Sequence, residues 1–254
     1  MQSDLSSKKL PFEVLLFDLG NTLLFFDGYW PDIFTQSHGV LIDTLINSGY
    51  KFDRSRFIED FSARLKEYYT AREIEFIEHT TGIILRDLLK KYGYDEVSYE
   101  AIHGFLDQMY AVTQDYWKIE DDAIQTLAIL KEKGFRLGIL SNAGYDRDVQ
   151  TLVDRTGLRP FFEQIITSAA VGIRKPHPRI FKVAMDSFHT SPSQTLMIGD
   201  TLGADVLGAF NAGLSSVWIT RRANTVDNRA HENTIQADAI INKLSELPAI
   251  LDTW

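Results

Sequence analysis

The sequence contains no cysteine, which excludes disulfides, thiolate metal sites and a cysteine nucleophile. It also lacks an excess of positive charge: 26 Lys and Arg stand against 35 Asp and Glu, for a formal net charge of −9. A polynucleotide backbone is gripped by a basic surface, so no nucleic-acid partner is expected. No apolar run approaches the roughly 20 residues of a membrane-spanning helix. The polar stretch 1–10 has no apolar run of a secretory leader. These absences predict a cytoplasmic protein with no membrane partner. What is present is apolar material, 44% of 254 residues, enough for a packed core.

Short apolar runs end abruptly at polar or small residues. Residues 14–17 end at Asp18, 137–140 at Ser141, 164–166 at Thr167, 196–199 at Asp200 and 216–219 at Thr220. Runs apolar at successive positions are buried on both faces, as strands of a parallel sheet are. Between them lie helical patterns. Ile124, Leu127, Ala128 and Lys131 share one face ahead of Gly134, and the segments 146–156 and 203–212 stop at Gly157 and Gly213. This alternation predicts an α/β fold, a Rossmann-like parallel sheet with helices on both faces.

The stretch 24–118 breaks the alternation, with no strong buried strand. Ile84, Leu85, Leu88, Leu89 and Tyr92 follow a helical period, as do Ile102, Phe105, Leu106, Met109 and Tyr116. Pro31 marks a helix start, and Gly49 and Gly93 mark stops. The expected organisation is a core of residues 1–23 and 119–254, with residues 24–118 inserted as an all-helical cap over the sheet ends.

Open parallel sheets bind ligands beyond the carboxyl ends of their strands. Asp18, Ser141-Asn142 and Asp200 occupy three of those ends, and Lys175 follows the strand at 164–166. Two carboxylates, a hydroxyl and a lysine at one spot suit phosphoryl transfer. One carboxylate attacks, a second holds magnesium, and the donors take the phosphoryl oxygens.

Asp18-Leu19-Gly20-Asn21-Thr22 resembles the first motif of the haloacid dehalogenase-like superfamily, usually Asp-x-Asp-Gly-Thr. Leu140-Ser141-Asn142 resembles the second motif. Lys175-Pro176-x-Pro178 with Ile180-Phe181 resembles the third, and Gly199-Asp200-Thr201 with Asp205 the fourth. The four stand in the family's order and span the chain outside the insert. The resemblance implies the cap and assigns roles. Asp18 is the nucleophile that forms an aspartyl-phosphate. Asp18, Asp200 and the Gly20 carbonyl are Mg2+ ligands, with Asp205 supporting the metal. Ser141 and the backbone amide of Asn142 bind a phosphoryl oxygen, Lys175 neutralises charge, and Thr22 orients the first loop.

One position departs from the pattern. Phosphatases of this family carry an aspartate at position 20, which protonates the leaving alkoxide and later activates water. Gly20 has no side chain to do so, while Asn21 still tolerates the positive φ of the turn. Acid–base catalysis of this kind contributes about 10²–10⁴-fold. Three readings stay open: a phosphatase with another acid, a reaction that needs none, or a weak enzyme or binding protein. Dehalogenases and phosphonoacetaldehyde hydrolases lack the aspartate. The metal-type fourth motif speaks against the first of these, and the second needs a cap lysine, for which Lys51, Lys66, Lys90 and Lys91 are the candidates. Asp27, Glu73, Glu75, Glu78 and His79 are candidate replacement acids, Asp27 first. Tyr29, Trp30, Tyr68 and Tyr69 are candidate pocket aromatics. Arg221-Arg222 reads as a solvated turn, and His38 and His177 lack metal-ligand spacing. The expected partner is a small-molecule substrate, and the chain is expected to be a monomer or homodimer.

Overall fold

The computed structural model describes residues 11–254, except the side chain of Glu73. The reading of residues 1–10 as lacking a leader lies outside the described residues. Strands β1 (Val14–Phe17), β4 (Arg136–Ser141), β5 (Gln164–Thr167), β6 (Thr195–Gly199), β7 (Ser215–Ile219) and β8 (Ala239–Ile241) form one sheet in the order β5-β4-β1-β6-β7-β8. Every pairing in it is parallel. The five apolar runs are five of these strands. The sixth, β8, was not anticipated, because its three residues are too few to show a run.

Alternate residues of β1 face two separate layers. Leu15 and Phe17 pack with Leu137, Ile139 and Leu196, whereas Val14 and Leu16 pack with Phe181, Phe188 and Met197. That two-sided burial is why β1 is apolar at every position. The helices covering the sheet are α5 (Ala123–Glu132), α6 (Asp146–Arg155), α7 (Ser168–Val171), α8 (Pro178–Phe188), α9 (Leu207–Ala212), α10 (Val226–His231) and α11 (Leu247–Thr253). Helix α5 differs from the expected face: Leu127 and Leu130 are buried but Ile124 is exposed. Its buried stripe runs through Ala123, Thr126, Leu127 and Leu130. A single π-type turn at Leu202–Val206 precedes α9, where one continuous helix was expected.

Helices α1 (Trp30–Asn47), α2 (Arg54–Glu75), α3 (Thr81–Lys91) and α4 (Tyr99–Gln114) occupy the inserted stretch. Pro31 sits in the first turn of α1, and Gly49 and Gly93 take positive φ just beyond α1 and α3. The side chains of Asp53, Thr80 and Ser98 cap α2, α3 and α4. These helices bury a core of their own, including Leu41, Leu45, Phe57, Phe61, Leu85 and Leu106. Two short strands that the sequence did not announce lie at the borders of the insert, β2 (Leu24–Phe26) and β3 (Trp117–Ile119), paired antiparallel. They form a ribbon through which the chain leaves and re-enters the sheet layer. No described helix is long and apolar enough to cross a membrane.

Candidate active site

Strand β1 lies at the centre of the sheet, and the chain passes from it to β4 and β5 on one side before returning to β6, β7 and β8 on the other. The crevice at such a reversal is the usual ligand position. Asp18 emerges there from β1, its backbone N–H still donating to the Ile198 carbonyl at 2.9 Å. Lys175, between α7 and α8, donates from Nζ to Asp18 Oδ1 at 2.7 Å and to Asp205 Oδ1 at 2.6 Å. Asp18, Asp200 and Asp205 each offer a carboxylate oxygen within 4.8 Å of the others. Ser141 and Asn142 line the same cavity, which holds about 920 Å³.

The site is buried and crowded with like charge. Burial, with Asp205 adding to it against the pull of Lys175, pushes the Asp18 carboxyl up to about 6. Burial, then Asp18 and Asp205, push Asp200 up to about 8. Burial works against the Lys175 ammonium, but the Asp18 and Asp205 carboxylates outweigh it and hold its pKa above the ordinary value. Three carboxylates against one ammonium leave two formal negative charges in excess. An all-oxygen donor set with that charge fits a hard divalent cation.

The supporting contacts explain how these groups are held. Asn142 clamps the backbone of Lys175 in both directions, Nδ2 donating to its carbonyl at 2.9 Å and Oδ1 accepting from its N–H at 2.8 Å. Asp205 sits on the π-type turn and its Oδ2 accepts from the Thr201 N–H at 3.0 Å. Position 199 must be glycine for this, because a Cβ there would fall 2.2 Å from Asp205 Oδ2. The Asp200 carbonyl is held by Trp218 Nε1 at 2.9 Å and Asn228 Nδ2 at 2.8 Å. Trp218 and Asn228 were not foreseen, since no local pattern marks a side chain that reaches a loop 18 or 28 residues away. Thr22 is fully buried in the first loop, but its Oγ1 has no hydrogen-bond partner among the described residues.

Position 20 adjoins an aromatic ring: a Cβ on Gly20 would meet Trp117 at 3.5 Å, an ordinary contact. Asn21 does take positive φ, at 56°. Of the candidate aromatics, Trp30 and Tyr69 line the cavity, Tyr29 is exposed, and Tyr68 is buried with its hydroxyl bonded to Glu78. Lys51, Lys66, Lys90 and Lys91 do not line it; among the described residues Lys175 is its one lysine. Arg221 and Arg222 are not a solvated turn. They grip the buried Glu120, and the Arg222 guanidinium lies 3.8 Å over the Phe25 ring. His177 caps α8, accepting from the Arg179 N–H at 3.1 Å. His38 lines the cavity, and burial pushes it down to about 4.

Comparison with known proteins places this geometry in a family context. A family model described as haloacid dehalogenase-like hydrolase matches residues 12–213. A glyceraldehyde 3-phosphate phosphatase from Methanothermobacter thermautotrophicus is 34% identical over 126 residues, 50% of this chain and 55% of that protein. The match therefore spans about half the length of that relative. The pyrophosphatase PpaX of Anoxybacillus flavithermus is 31% identical over 82% of this chain and 92% of its own. The crystal structure of a 2-haloacid dehalogenase from Pseudomonas syringae superposes with a TM-score of 0.67 at 24% identity, covering 96% of this chain and 99% of that one. At that identity the likeness speaks for the fold.

Proposed function

The chain belongs to the haloacid dehalogenase-like hydrolase family, and on that footing we propose that it is a magnesium-dependent phosphatase of a small phosphorylated metabolite, working through an aspartyl-phosphate on Asp18. The observation that carries this reading is the pairing of Asp18 with Lys175 at 2.7 Å inside a cluster with Asp200 and Asp205. A carboxylate held beside a buried cation and two further carboxylates suits attack on phosphorus better than displacement of a halide, which needs no metal. Relatives named glyceraldehyde 3-phosphate phosphatase and pyrophosphatase support a phosphorylated substrate.

In this reading Asp18 attacks phosphorus and the leaving group departs on the opposite side. Lys175 balances charge on Asp18 and the phosphoryl group, while Ser141 and the Asn142 backbone amide take a phosphoryl oxygen. Asp18, Asp200 and the Gly20 carbonyl would hold Mg2+, with Asp205 behind them, and the metal would supply positive charge to the transferring group. Thr22 lies within the first loop and would steady it. Residues 24–118 form the cap that selects the substrate, over a core of 1–23 and 119–254. The net charge of −9 supports a small-molecule partner rather than nucleic acid. The setting proposed is the cytoplasm, as a monomer or homodimer.

The test is hydrolysis of p-nitrophenyl phosphate and acetyl phosphate, with Mg2+ or a chelator, by wild type and Asp18→Asn. Metal-dependent turnover that Asp18→Asn abolishes is the expected result. No turnover of either substrate, or metal-independent halide release from a 2-haloacid, would overturn the reading.

A further inference from the structure

A phosphatase without a carboxyl group at position 20 still has to protonate a poor leaving group. Among the described residues, the acids expected for this from the insert do not line the cavity. Asp27, Glu75 and His79 are exposed and away from its wall. Glu78 is buried but committed to Tyr68, Ser168 and Arg174. The Glu73 side chain lies outside the described residues. Among the described residues, five carboxylates do line the cavity: Asp18, Asp200 and Asp205 of the cluster, Asp227 and Asp148. Asp227 is exposed on α10.

Asp148 is different. It sits in the first turn of α6, a few residues beyond the Ser141-Asn142 loop, and Val149 and Leu152 of the same helix also line the cavity. Its Oδ1 accepts from Gln114 Nε2 at 2.9 Å, its single hydrogen-bond partner among the described residues. Gln114 is the last residue of α4, and three residues on stands Trp117, whose ring abuts position 20. One short stretch of chain thus holds Asp148 and borders Gly20, and Gly20, Trp117 and Asp148 share the cavity. The ionisable neighbour across from Asp148 is Tyr110 of α4, whose own proton is held more tightly by the Asp148 charge and, above all, by burial. Burial pushes the Asp148 carboxyl up to about 7, with only the Gln114 amide pulling it down. A carboxyl of that kind carries and releases a proton near neutral pH.

We propose that Asp148 is the general acid and base of this site, supplied by α6 in place of the side chain that Gly20 lacks. The proposal rests on the phosphatase reading above. As Asp18 Oδ bonds to phosphorus, the bond from phosphorus to the leaving oxygen breaks. That oxygen takes the Asp148 proton and departs as an alcohol. The Asp148 carboxylate then takes a proton from water as the water oxygen bonds to phosphorus and the bond to Asp18 breaks. Inorganic phosphate, free Asp18 and reprotonated Asp148 result.

The experiment is a leaving-group series with Mg2+: p-nitrophenyl phosphate, phenyl phosphate and glycerol 3-phosphate, for wild type, Asp148→Asn and Asp148→Asn/Gly20→Asp, each checked for folding by thermal melting. The ratio kcat/KM reports steps up to departure of the leaving group. In Asp148→Asn it is expected to fall about 10²–10⁴-fold on glycerol 3-phosphate but less than about 10-fold on p-nitrophenyl phosphate. On p-nitrophenyl phosphate its kcat should fall with a burst of p-nitrophenol, because water attacks after the leaving group has gone. The double variant should recover alkyl phosphate hydrolysis. An equal loss of kcat/KM across the series, no loss, or a wild type that turns over only the aryl phosphates would overturn the proposal alone. A wild type that hydrolyses none of the three, nor acetyl phosphate, would overturn the phosphatase reading and this one with it.

Discussion

Arg174 donates through Nη1 to Glu78 Oε2 at 3.2 Å, joining the loop between α2 and α3 to the loop that carries Lys175. Both side chains are buried. The two backbones meet as well: the Arg174 N–H donates to the Phe76 carbonyl and the Glu78 N–H to the Gly172 carbonyl, each at 3.0 Å. Glu78 also accepts from Ser168 Oγ at 2.7 Å, and Ser168 in turn accepts from the Ala143 N–H at 2.9 Å. One carboxylate from the helical insert therefore braces the loops after β4 and β5 together.

Glu78→Gln keeps the shape of that node and removes its charge. Hydrogen bonds to charged groups are worth about 1.5–3 kcal/mol, so a loss of stability on that order is expected in urea unfolding. A fall in kcat/KM on p-nitrophenyl phosphate should accompany it. Unchanged stability would mean that Arg174 and Ser168 hold the loops without Glu78.

Gly199→Ala tests the packing beneath the cluster. The new Cβ would lie 2.2 Å from Asp205 Oδ2, 2.3 Å from Cγ and 2.6 Å from Cβ, so Asp205 has to move off Lys175. Small-to-large changes in packed sites cost about 1–3 kcal/mol, and metal-dependent turnover should fall more than about tenfold if the cluster acts as one unit. Retained activity with retained stability would show that Asp205 is dispensable.

His38 gives a pH signal in stability. It packs against Phe34 and Phe61, and burial pushes it down to about 4 from the ordinary value of 6.5. The unfolded chain binds this proton before the folded one does, so folding loses stability as pH falls from about 6.5 towards 4. His38→Phe keeps an aromatic ring there and removes the proton. Melting temperatures of wild type and variant should converge above pH 7 and separate below 6, wild type falling faster. Parallel curves would refute a buried neutral imidazole.

The legible part of this protein was the local part. Val14–Phe17 reads as a central strand because all four residues are buried, and Asp18 follows it directly. Lys175 and Asp200 were legible as members of short motifs at strand ends. Asn142 was expected to offer its backbone amide to a phosphoryl oxygen; that its side chain holds the backbone of Lys175 was not foreseen. The face of α5 was misread at Ile124, since an apolar residue on a helix does not say which side the sheet lies on. Strands β2 and β3 were invisible, as three residues each carry no period.

The sequence by itself determined the parallel α/β layering, the chemical identity of Asp18, Lys175, Asp200 and Asp205, and the missing carboxyl group at position 20. These depend on residue type and on neighbours a few positions away. Only the tertiary structure decided that Asp205 shares Lys175 with Asp18, that Trp218 and Asn228 hold the Asp200 loop, that Glu78 braces rather than lines the site, and that Asp148 shares its cavity. Such contacts join residues far apart in the chain, and burial, which sets their charge state, exists only once the layers have packed.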